Sequence, residues 1–367
     1  MGATEVGRIV MLADLDYFYA QVEERRDRSL IGRPVVVCVY SGRTEESGVV
    51  ATANYSARGY GVRSGIPIAL AKKRLLGTEA RFLPMDHEFY KQVSERVMAI
   101  LKRNVDGFEQ VGIDEAYLDV SNRVANFHEA EKLARKIKDE VWGSESLTLS
   151  IGVGPNKVIA KIAADINKPN GLTVVDDEDS KAFLSPLPVE SLVGVGRKTA
   201  ERMGQLGIRT VGELAAFDET ALINEFGRAL GAYFHRAANG EDEEAVQERG
   251  ENESISRMVT LKEDTNDPKK VLEAAYTLCE DVVSKARERG LLFRRVGIIA
   301  VTTDLTIRMR EKSLTAPTDD MQTVKRAVKE ILEKHLGGNR QELRRVGVHI
   351  SGFVRRMKGQ SQLTTFI

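Results

Sequence analysis

The chain has 367 residues, more than one ordinary domain needs, and its charge is balanced at 54 Lys and Arg against 54 Asp and Glu. A hydrophobic content of 42% and a charged content of 29% describe a chain with cores to bury, and no apolar run is long enough to cross a bilayer. The segment Met1 to Arg8 lacks the apolar middle of a signal peptide, and the two cysteines, Cys38 and Cys279, stand in apolar contexts without metal-ligand spacing. Buried thiols in a reducing, cytoplasmic setting are expected.

The charge is unevenly spread. From Ser254 to the end there are 22 Lys and Arg against 14 Asp and Glu, a surplus of eight that the first 253 residues balance. Such asymmetry points to a nucleic-acid surface in the last third.

In chain order, Arg8–Ala13 is an apolar run of strand type, ending at Asp14-Leu15-Asp16 before a helical start at Tyr17. Asp14 thus closes a strand, and Asp16 is the better candidate for capping the helix. Pro34–Tyr40 is a second buried strand. From Val49 to Pro67 small residues dominate, with Thr52, Tyr55 and Arg58 among them. Tyr55 and Arg58 share a face if the segment is helical. A phenol and a guanidinium there suit a phosphate chain, although from this segment alone a solvated Arg packed on a Tyr is the better reading.

Ile68–Leu76 and His87–Lys102 read as helices. Asp114 and Glu115 follow, side by side between the strand-like runs Phe108–Ile113 and Ala116–Val120. Adjacent like charges at a strand edge require either solvation, as in a plain hairpin turn, or a cation between them. Phe127–Val141 is an amphipathic helix, Leu147–Val153 a strand and Lys157–Ile166 a helix. The order is that of a split βαβ, ferredoxin-like sheet, in which the first strand and the hairpin are neighbours. That topology would bring Asp14 beside Asp114 and Glu115, with 18–85 inserted as a separate small domain.

Lys168-Pro169-Asn170-Gly171 breaks the helix. Val193-Gly194-Val195-Gly196-Arg197-Lys198 has the look of a helix-hairpin-helix turn, which offers backbone N–H groups to a DNA phosphate; an ordinary helix–helix turn is the alternative. A poorer second candidate is Phe226–Gly231. Asn239–Glu253 carries seven acidic residues against Arg249 alone, and is expected to be a solvated linker extended by its own repulsion. Beyond it, Ser256–Lys262, Val296–Thr302 and Val346–Phe353 read as strands, and Val271–Arg289 and Thr323–His335 as helices. Arg257, Arg294, Arg295, Arg308, Arg310, Arg344 and Arg345 cluster at strand edges, which suits a duplex backbone. The tail ends on Phe366-Ile367, as a docking peptide does.

Four stretches together closely resemble the signature blocks of archaeal Y-family (translesion) DNA polymerases of the DNA polymerase IV type. They are Asp14–Glu23, Ala51–Arg58, Ile113–Asp119 and Lys161–Asp165 with Lys168–Gly171, in the family's order. The resemblance implies an α+β, multidomain right hand: a ferredoxin-like palm (1–17 and 86–175), small fingers (18–85) and a helical helix-hairpin-helix thumb (176–240). A linker (241–253), a C-terminal α+β little-finger domain (254–355) and a tail (356–367) complete it. It implies a low-fidelity polymerase that extends a primer with dNTPs across damaged template and has no proofreading exonuclease.

By the same resemblance Asp14, Asp114 and Glu115, with the Leu15 carbonyl, would bind two Mg²⁺ ions, for which Mn²⁺ can substitute. Tyr55, Arg58 and Lys168, assisted by Thr52, would hold the triphosphate. Tyr19 would stack under the sugar as the steric gate, and Ala51 and Gly65 would roof the nascent base pair. Gly194, Gly196, Arg197 and Lys198 of the thumb, and Arg257, Arg344 and Arg345 of the little finger, would grip primer-template DNA. Gln360, Leu363, Phe366 and Ile367 resemble an archaeal or eukaryotic sliding-clamp peptide, while Gln362-Leu363-x-x-Phe366 also resembles a bacterial one. A monomer without membrane contact is implied. Gly112 stands where many members have Ser, and the linker is acidic where a basic one is expected. A nucleotidyl cyclase would share the palm chemistry but leave the hairpin turn and the basic C-terminal third unexplained. A non-catalytic DNA-binding scaffold would leave the three carboxylates unexplained.

Overall fold

In the computed structural model of the chain, residues 7–248, 250, 254–336 and 341–355 are described. Two compact units emerge, one of Met1–Cys38, Val50–Ile66 and Ala71–Arg249, the other of Val39–Val49, Pro67–Leu70 and Gly250–Ile367. The clamp-like residues Gln360, Leu363, Phe366 and Ile367 lie outside the described residues.

The chain begins with β1 (Val10–Leu15), α1 (Phe18–Arg26), β2 (Val35–Tyr40), β3 (Gly48–Ala53), α2 (Tyr55–Arg58), α3 (Ile68–Arg74) and β4 (Arg81–Pro84). It continues through α4 (His87–Arg103), β5 (Gly107–Gln110), β6 (Glu115–Asp119), α5 (Phe127–Glu145), β7 (Leu149–Gly154), α6 (Lys157–Ile166) and β8 (Leu172–Val174). A five-stranded sheet of order β5-β6-β1-β7-β8 has β1 at its centre, antiparallel to both β6 and β7. This is the split βαβ arrangement that the order of elements predicts, with β8 added in parallel to β7.

Strand β1 is buried along its whole length because both faces of the sheet are covered. Met11, Ala13 and Leu15 join Tyr90, Val97 and Leu101 of α4 and Ala134, Ile137 and Val141 of α5 in one core. Val10 and Leu12 face the other way, against Ala160 and Ala164 of α6. The close seating of α6 depends on Gly152, where an added Cβ would lie 2.1 Å from the Ala160 carbonyl oxygen.

The inserted segment forms a small sheet of order β3-β2-β4. It does not have a core wholly its own: Phe18, Ala20, Val22, Leu30, Val35 and Val37 belong to the cluster under the large sheet. Apolar residues of α1 and β2 have no other way to leave water in so short a segment.

Five helices follow: α7 (Ser180–Leu184), α8 (Arg197–Gln205), α9 (Val211–Ala215), α10 (Glu219–Phe226) and α11 (Arg228–Ala238). Their core is built on Met203, Leu214, Leu222 and Phe234.

The acidic linker meets expectation only in part. Over its described residues Glu241, Glu243, Glu244 and Glu248 are solvent-exposed as expected, but the segment is also tied down at several points. Val246 is buried against Val10, Leu12, Ala160 and Ala164. The Lys157 ammonium, itself buried, contacts Glu109 at 2.5 Å and the linker's Glu244 at 3.0 Å. Lys102 pairs with Glu248, and Asn156 donates to the Gly240 carbonyl at 2.6 Å. The acids repel one another but meet fixed ammonium groups, and burial of Val246 adds an apolar anchor.

In the second unit, β9 (Ser254–Thr265), α12 (Pro268–Glu288), β10 (Leu291–Thr302), β11 (Ile307–Thr318), α13 (Met321–Leu336) and β12 (Leu343–Arg355) form an antiparallel sheet of order β11-β10-β12-β9. Residues of α12 and α13 share a core with Phe293, Val296, Ile298, Val346, Val348 and Ile350. The order of elements repeats that of the large sheet, but the strands are arranged differently.

Glu145, at the end of α5, fastens α1 and α4 to that helix. It accepts from Arg25 at 2.5 Å and from Arg96 at 2.7 and 3.0 Å, and is 7% exposed. Burial alone would raise its carboxyl, but the Arg96 and Arg25 guanidiniums outweigh it and hold it below the ordinary range. A depressed carboxyl stabilises the fold above its unfolded value of 4.5, and that contribution disappears as pH falls through the folded value. Glu145→Gln is therefore expected to cost about 1–3 kcal/mol at neutral pH, with the gap to the parent closing as pH falls below 4.5 and through the depressed folded value. Urea denaturation of both proteins across pH checks it; a gap independent of pH would overturn the assignment.

Candidate active site

The antiparallel register places Asp14 directly opposite Glu115 across β1 and β6, and the Leu15 amide donates to the Asp114 carbonyl at 2.9 Å. Two acids facing each other across a ladder destabilise it unless a cation sits between them. Here the cations are lysines. Lys168 Nζ lies 2.6 Å from Asp14 Oδ2 and 2.8 Å from Asp165 Oδ1. Lys161 Nζ lies 2.6 Å from Glu115 Oε2, 3.3 Å from Asp14 Oδ2 and 3.7 Å from Asp165 Oδ2. Burial disfavours both ammonium charges, and Asp14 foremost among the acids overcomes it, holding both lysines above the usual lysine range.

Asp114 stands just before β6. Burial, then the charges of Asp14 and Glu115, push its carboxyl up to about 6. The three carboxylates predicted from the sequence are thus electrostatic neighbours. Gly112 leaves them room: a Cβ there would lie 3.1 Å from Asp114 Oδ1 and 3.1 Å from Glu115 Cγ, so a larger residue would need them to shift by a few tenths of an ångström.

Oxygen donors of this kind suit a hard divalent cation such as Mg²⁺ or Mn²⁺. Among the described residues no three acidic, His or Cys groups converge as they stand on one cation position. Chemically the donors fit; Lys161 and Lys168 hold two of them.

Tyr55 opens the short α2, capped by Asn54, whose side chain accepts from the Ala57 amide at 3.0 Å. The Arg58 guanidinium lies 4.8 Å over the Tyr55 ring, and its Nε donates to the Ala53 carbonyl at 2.8 Å. The stacked pair is therefore present, on the face the spacing predicts. Burial pushes the Tyr55 phenol up, and the fields of Arg58, Asp16, Lys168 and Asp14 all reach it. Tyr19 stacks on Tyr90 with ring centroids 4.7 Å apart, and burial and Asp114 raise its phenol. Ala51 and Thr52 lie on β3, and Gly65, at φ +86°, donates to the Val50 carbonyl beside them.

Asp16 does not cap α1. That position falls to Tyr17, which has left-handed backbone (φ 36°) and makes no side-chain cap. The sharp turn aims the buried Asp16 carboxylate across the sheet. It accepts from Thr148 Oγ1, Ser150 Oγ and the Asn170 amide, each at 2.8 Å. Asp16 therefore pins the loop that carries Lys168. Sequence reading missed this role because its partners are about 130–155 residues away. Lys161 was also missed as a site residue; its spacing of four from Asp165 on α6 is the signal that could have found it.

The remaining candidates belong to the helices after β8 and to the second unit. Gly194 has φ +86°, and Gly196 precedes α8 without a side-chain cap. Arg197 pairs with Glu201 at 3.0 Å, and Lys198 is exposed on the same first turn. Gly227, at φ +83°, makes the second hairpin, between α10 and α11. In the second unit Arg257 is exposed on β9, and Arg344 sits at a register shift 4.0 Å from Asp264. Arg345 faces away from the helix-covered side, its Nε buried without a hydrogen-bond partner among the described residues. Arg295 meets Glu311 at 3.5 Å. Acids interleave with the arginines, so the strand edges are not one uninterrupted basic stripe.

Three family models match the chain: impB/mucB/samB family over residues 13–165, the C-terminal domain of that family over 252–365, and DNA polymerase-iota, thumb domain, over 190–242. The chain is 42% identical to DNA polymerase IV of Methanosarcina acetivorans, over 97% of this chain and 98% of that protein. It is 41% identical to DNA polymerase IV of Nitrosopumilus maritimus, over 98% and 99%. Among solved structures it resembles a Y-family DNA polymerase chimera, Dbh-Dpo4(243-245)-Dbh, with TM-score 0.88 and 36% identity over 95% of this chain and all of that one. It resembles an insertion ternary complex of Dbh DNA polymerase with TM-score 0.68 and 35% identity, at the same coverage of 95% and 100%.

Asp16→Ala is expected to destabilise the protein by about 1–3 kcal/mol, since three donors, the buried Ser150 hydroxyl among them, lose their acceptor. Amide exchange at Asn170 should accelerate. Hydrogen–deuterium exchange mass spectrometry of the 167–172 segment reads this, and an unchanged rate there would remove Asp16 from the pinning role.

Proposed function

The chain belongs to the impB/mucB/samB family and is a DNA-directed DNA polymerase of the Y-family, DNA polymerase IV type; from this we propose that it extends primers across damaged template by a two-metal phosphoryl transfer, without proofreading. The carrying observation is the facing of Asp14 and Glu115 on adjacent strands beside Asp114, with Lys168 at 2.6 Å from the first. Clustered hard oxygens with phosphate-binding donors beside them are what nucleotidyl transfer requires.

Asp14, Asp114 and Glu115, with the Leu15 carbonyl, would hold two Mg²⁺ ions. Bound there, such ions lower the cost of deprotonating a primer 3′-hydroxyl and neutralise charge on a triphosphate. The chain's own groups do the rest. Lys168 exchanges Asp14 for a phosphate oxygen, and Arg58 offers a planar pair of donors held in place by stacking on Tyr55. The Tyr55 hydroxyl and Thr52 complete the triphosphate grip. Tyr19, braced on Tyr90, lies under the sugar and crowds a 2′-hydroxyl. Ala51 and Gly65 roof the base pair with little side-chain bulk; space around an added Gly65 Cβ is open to 4 Å. A roof of that kind checks shape weakly, which favours bypass over fidelity.

The uncapped first turn of α8, with Gly194, Gly196, Arg197 and Lys198, offers amide donors to a duplex phosphate. Arg257, Arg344 and Arg345 add contacts from the second unit. Gln360, Leu363, Phe366 and Ile367 form a peptide for a sliding clamp of the archaeal type. The three family models take up residues 13–165, 190–242 and 252–365. Among the described residues no helix is long and apolar enough to cross a membrane. We read the protein as a cytoplasmic monomer.

Primer extension with single dNTPs, on undamaged and abasic templates, tests the reading. The parent should extend on both, and Asp114→Ala should lose at least about a thousandfold in rate. Robust extension by that variant would overturn the metal assignment. Cyclic product formed without primer would replace polymerisation by a cyclase reaction.

Tyr19→Ala should raise ribonucleotide incorporation relative to deoxyribonucleotide by about tenfold or more, because the excluded group is a single hydroxyl. Competing ATP and dATP at one template position measures this, and an unchanged ratio would remove Tyr19 from the gate.

A further inference from the structure

We propose that Lys161 is a positioning residue whose ammonium stands in for a divalent cation between Asp14 and Glu115, with Asp165 as the site to which it withdraws when the cation binds. The inference rests on the metal reading above.

Three observations carry it. First, Lys161 Nζ bridges the facing pair, at 2.6 Å from Glu115 and 3.3 Å from Asp14, using the same oxygens that a cation would need. Second, Lys161 is anchored. It stands on α6, which is locked to β1 and β7 by buried Ala160 and Ala164 and by the close approach at Gly152. Its side chain is 22% exposed, so it is no freely solvated surface lysine. Third, a second partner lies one helical turn on: Asp165 Oδ2 is 3.7 Å away, a distance that a rotamer change closes.

The electrostatics explain why such a group is built in. Asp14, Asp114 and Glu115 would repel one another strongly without a cation, in a place where water cannot screen them fully. One ammonium between two of them offsets that repulsion and holds them correctly spaced. A singly charged group makes a weaker claim on two carboxylates than a divalent ion does, so it can be displaced. Asp165 then keeps the displaced charge paired. In this arrangement Lys161 competes with the cation, whereas Asp165 assists it.

Two substitutions should therefore act in opposite directions. Mn²⁺ binding, read by electron paramagnetic resonance on full-length protein without DNA or nucleotide, should tighten about tenfold in Lys161→Met, where a competitor is lost. In Asp165→Asn it should weaken, because Lys161 has nowhere else to go. In metal-free buffer Lys161→Met should melt at a lower temperature than the parent, and adding Glu115→Gln to it should recover part of the loss. Mn²⁺ affinity that is unchanged or weaker in Lys161→Met would overturn the proposal, as would a metal-free melting temperature at or above the parent's. A parent that binds no Mn²⁺, even with primer-template DNA and a dNTP present, would instead overturn the metal reading itself. If Lys161→Met does not fold, Lys161→Gln and the Asp165→Asn arm carry the same test.

Discussion

The structure depends on one electrostatic constraint: two carboxylates facing each other at the end of the central strands of the large sheet. Asp14 and Glu115 occupy paired positions because β1 and β6 are antiparallel neighbours in a fixed register. Slipping that register by one residue would turn Val10 and Leu12 away from α6 and Met11 and Ala13 away from α4 and α5. Apolar burial on both faces of β1 therefore holds together two charges that would otherwise separate. The hydrophobic core sets the geometry, and the charged site is its consequence.

Much of this was legible in the sequence. The continuous apolar run of β1 and the amphipathic spacing of α4, α5 and α6 specify elements whose order admits few sheet topologies. The adjacency of Asp14, Asp114 and Glu115 follows from that order. What escaped has physical reasons. Strand β11 is an edge strand with exposed Arg310, Glu311 and Lys312, so no apolar run marks it. Asp16 looks like a helix cap because Asp before a helix usually is one; its true partners on β7 and the 168–171 loop are set by tertiary packing alone. The linker was in part misjudged because repulsion within the segment is visible in the sequence, whereas Lys157 and Lys102 are not visibly opposite it. Local charge counts describe a segment in water, not one lying on fixed countercharges.

The second unit shows the limit of pattern reading from another side. Its β-α-β-β-α-β order equals that of the first sheet, yet its strands lie as β11-β10-β12-β9. Succession of elements narrows the topology without fixing it. Nor do clustered arginines fix a basic face. Arg294 and Arg295 are both exposed at an irregularity of the β10–β11 register, and Glu311 and Asp264 meet some of the guanidiniums. Net charge over a hundred residues thus says that a surface can attract a polyanion, not where it grips one.

Helix α6 joins the two features that sequence reading left apart. Lys157, Lys161 and Asp165 recur every four residues, so they form one polar stripe along a helix whose opposite side is buried. At one end of the stripe Lys157 is held between Glu109 and the linker's Glu244, and lies 5.4 Å from the Tyr117 ring. One turn later Lys161 meets Glu115 and Asp14. Tyr117 and Glu115 alternate on β6, so both project toward that helix. The acidic linker and the carboxylate site are therefore countercharged by successive residues of one helix. An acidic composition that looks unsuitable beside DNA is, at Glu244, complementary to the protein's own buried lysine. Replacing it with a basic linker on this helix would set like charges 3.0 Å apart. At Glu244 the linker's acidity is complementary to Lys157 of the first unit.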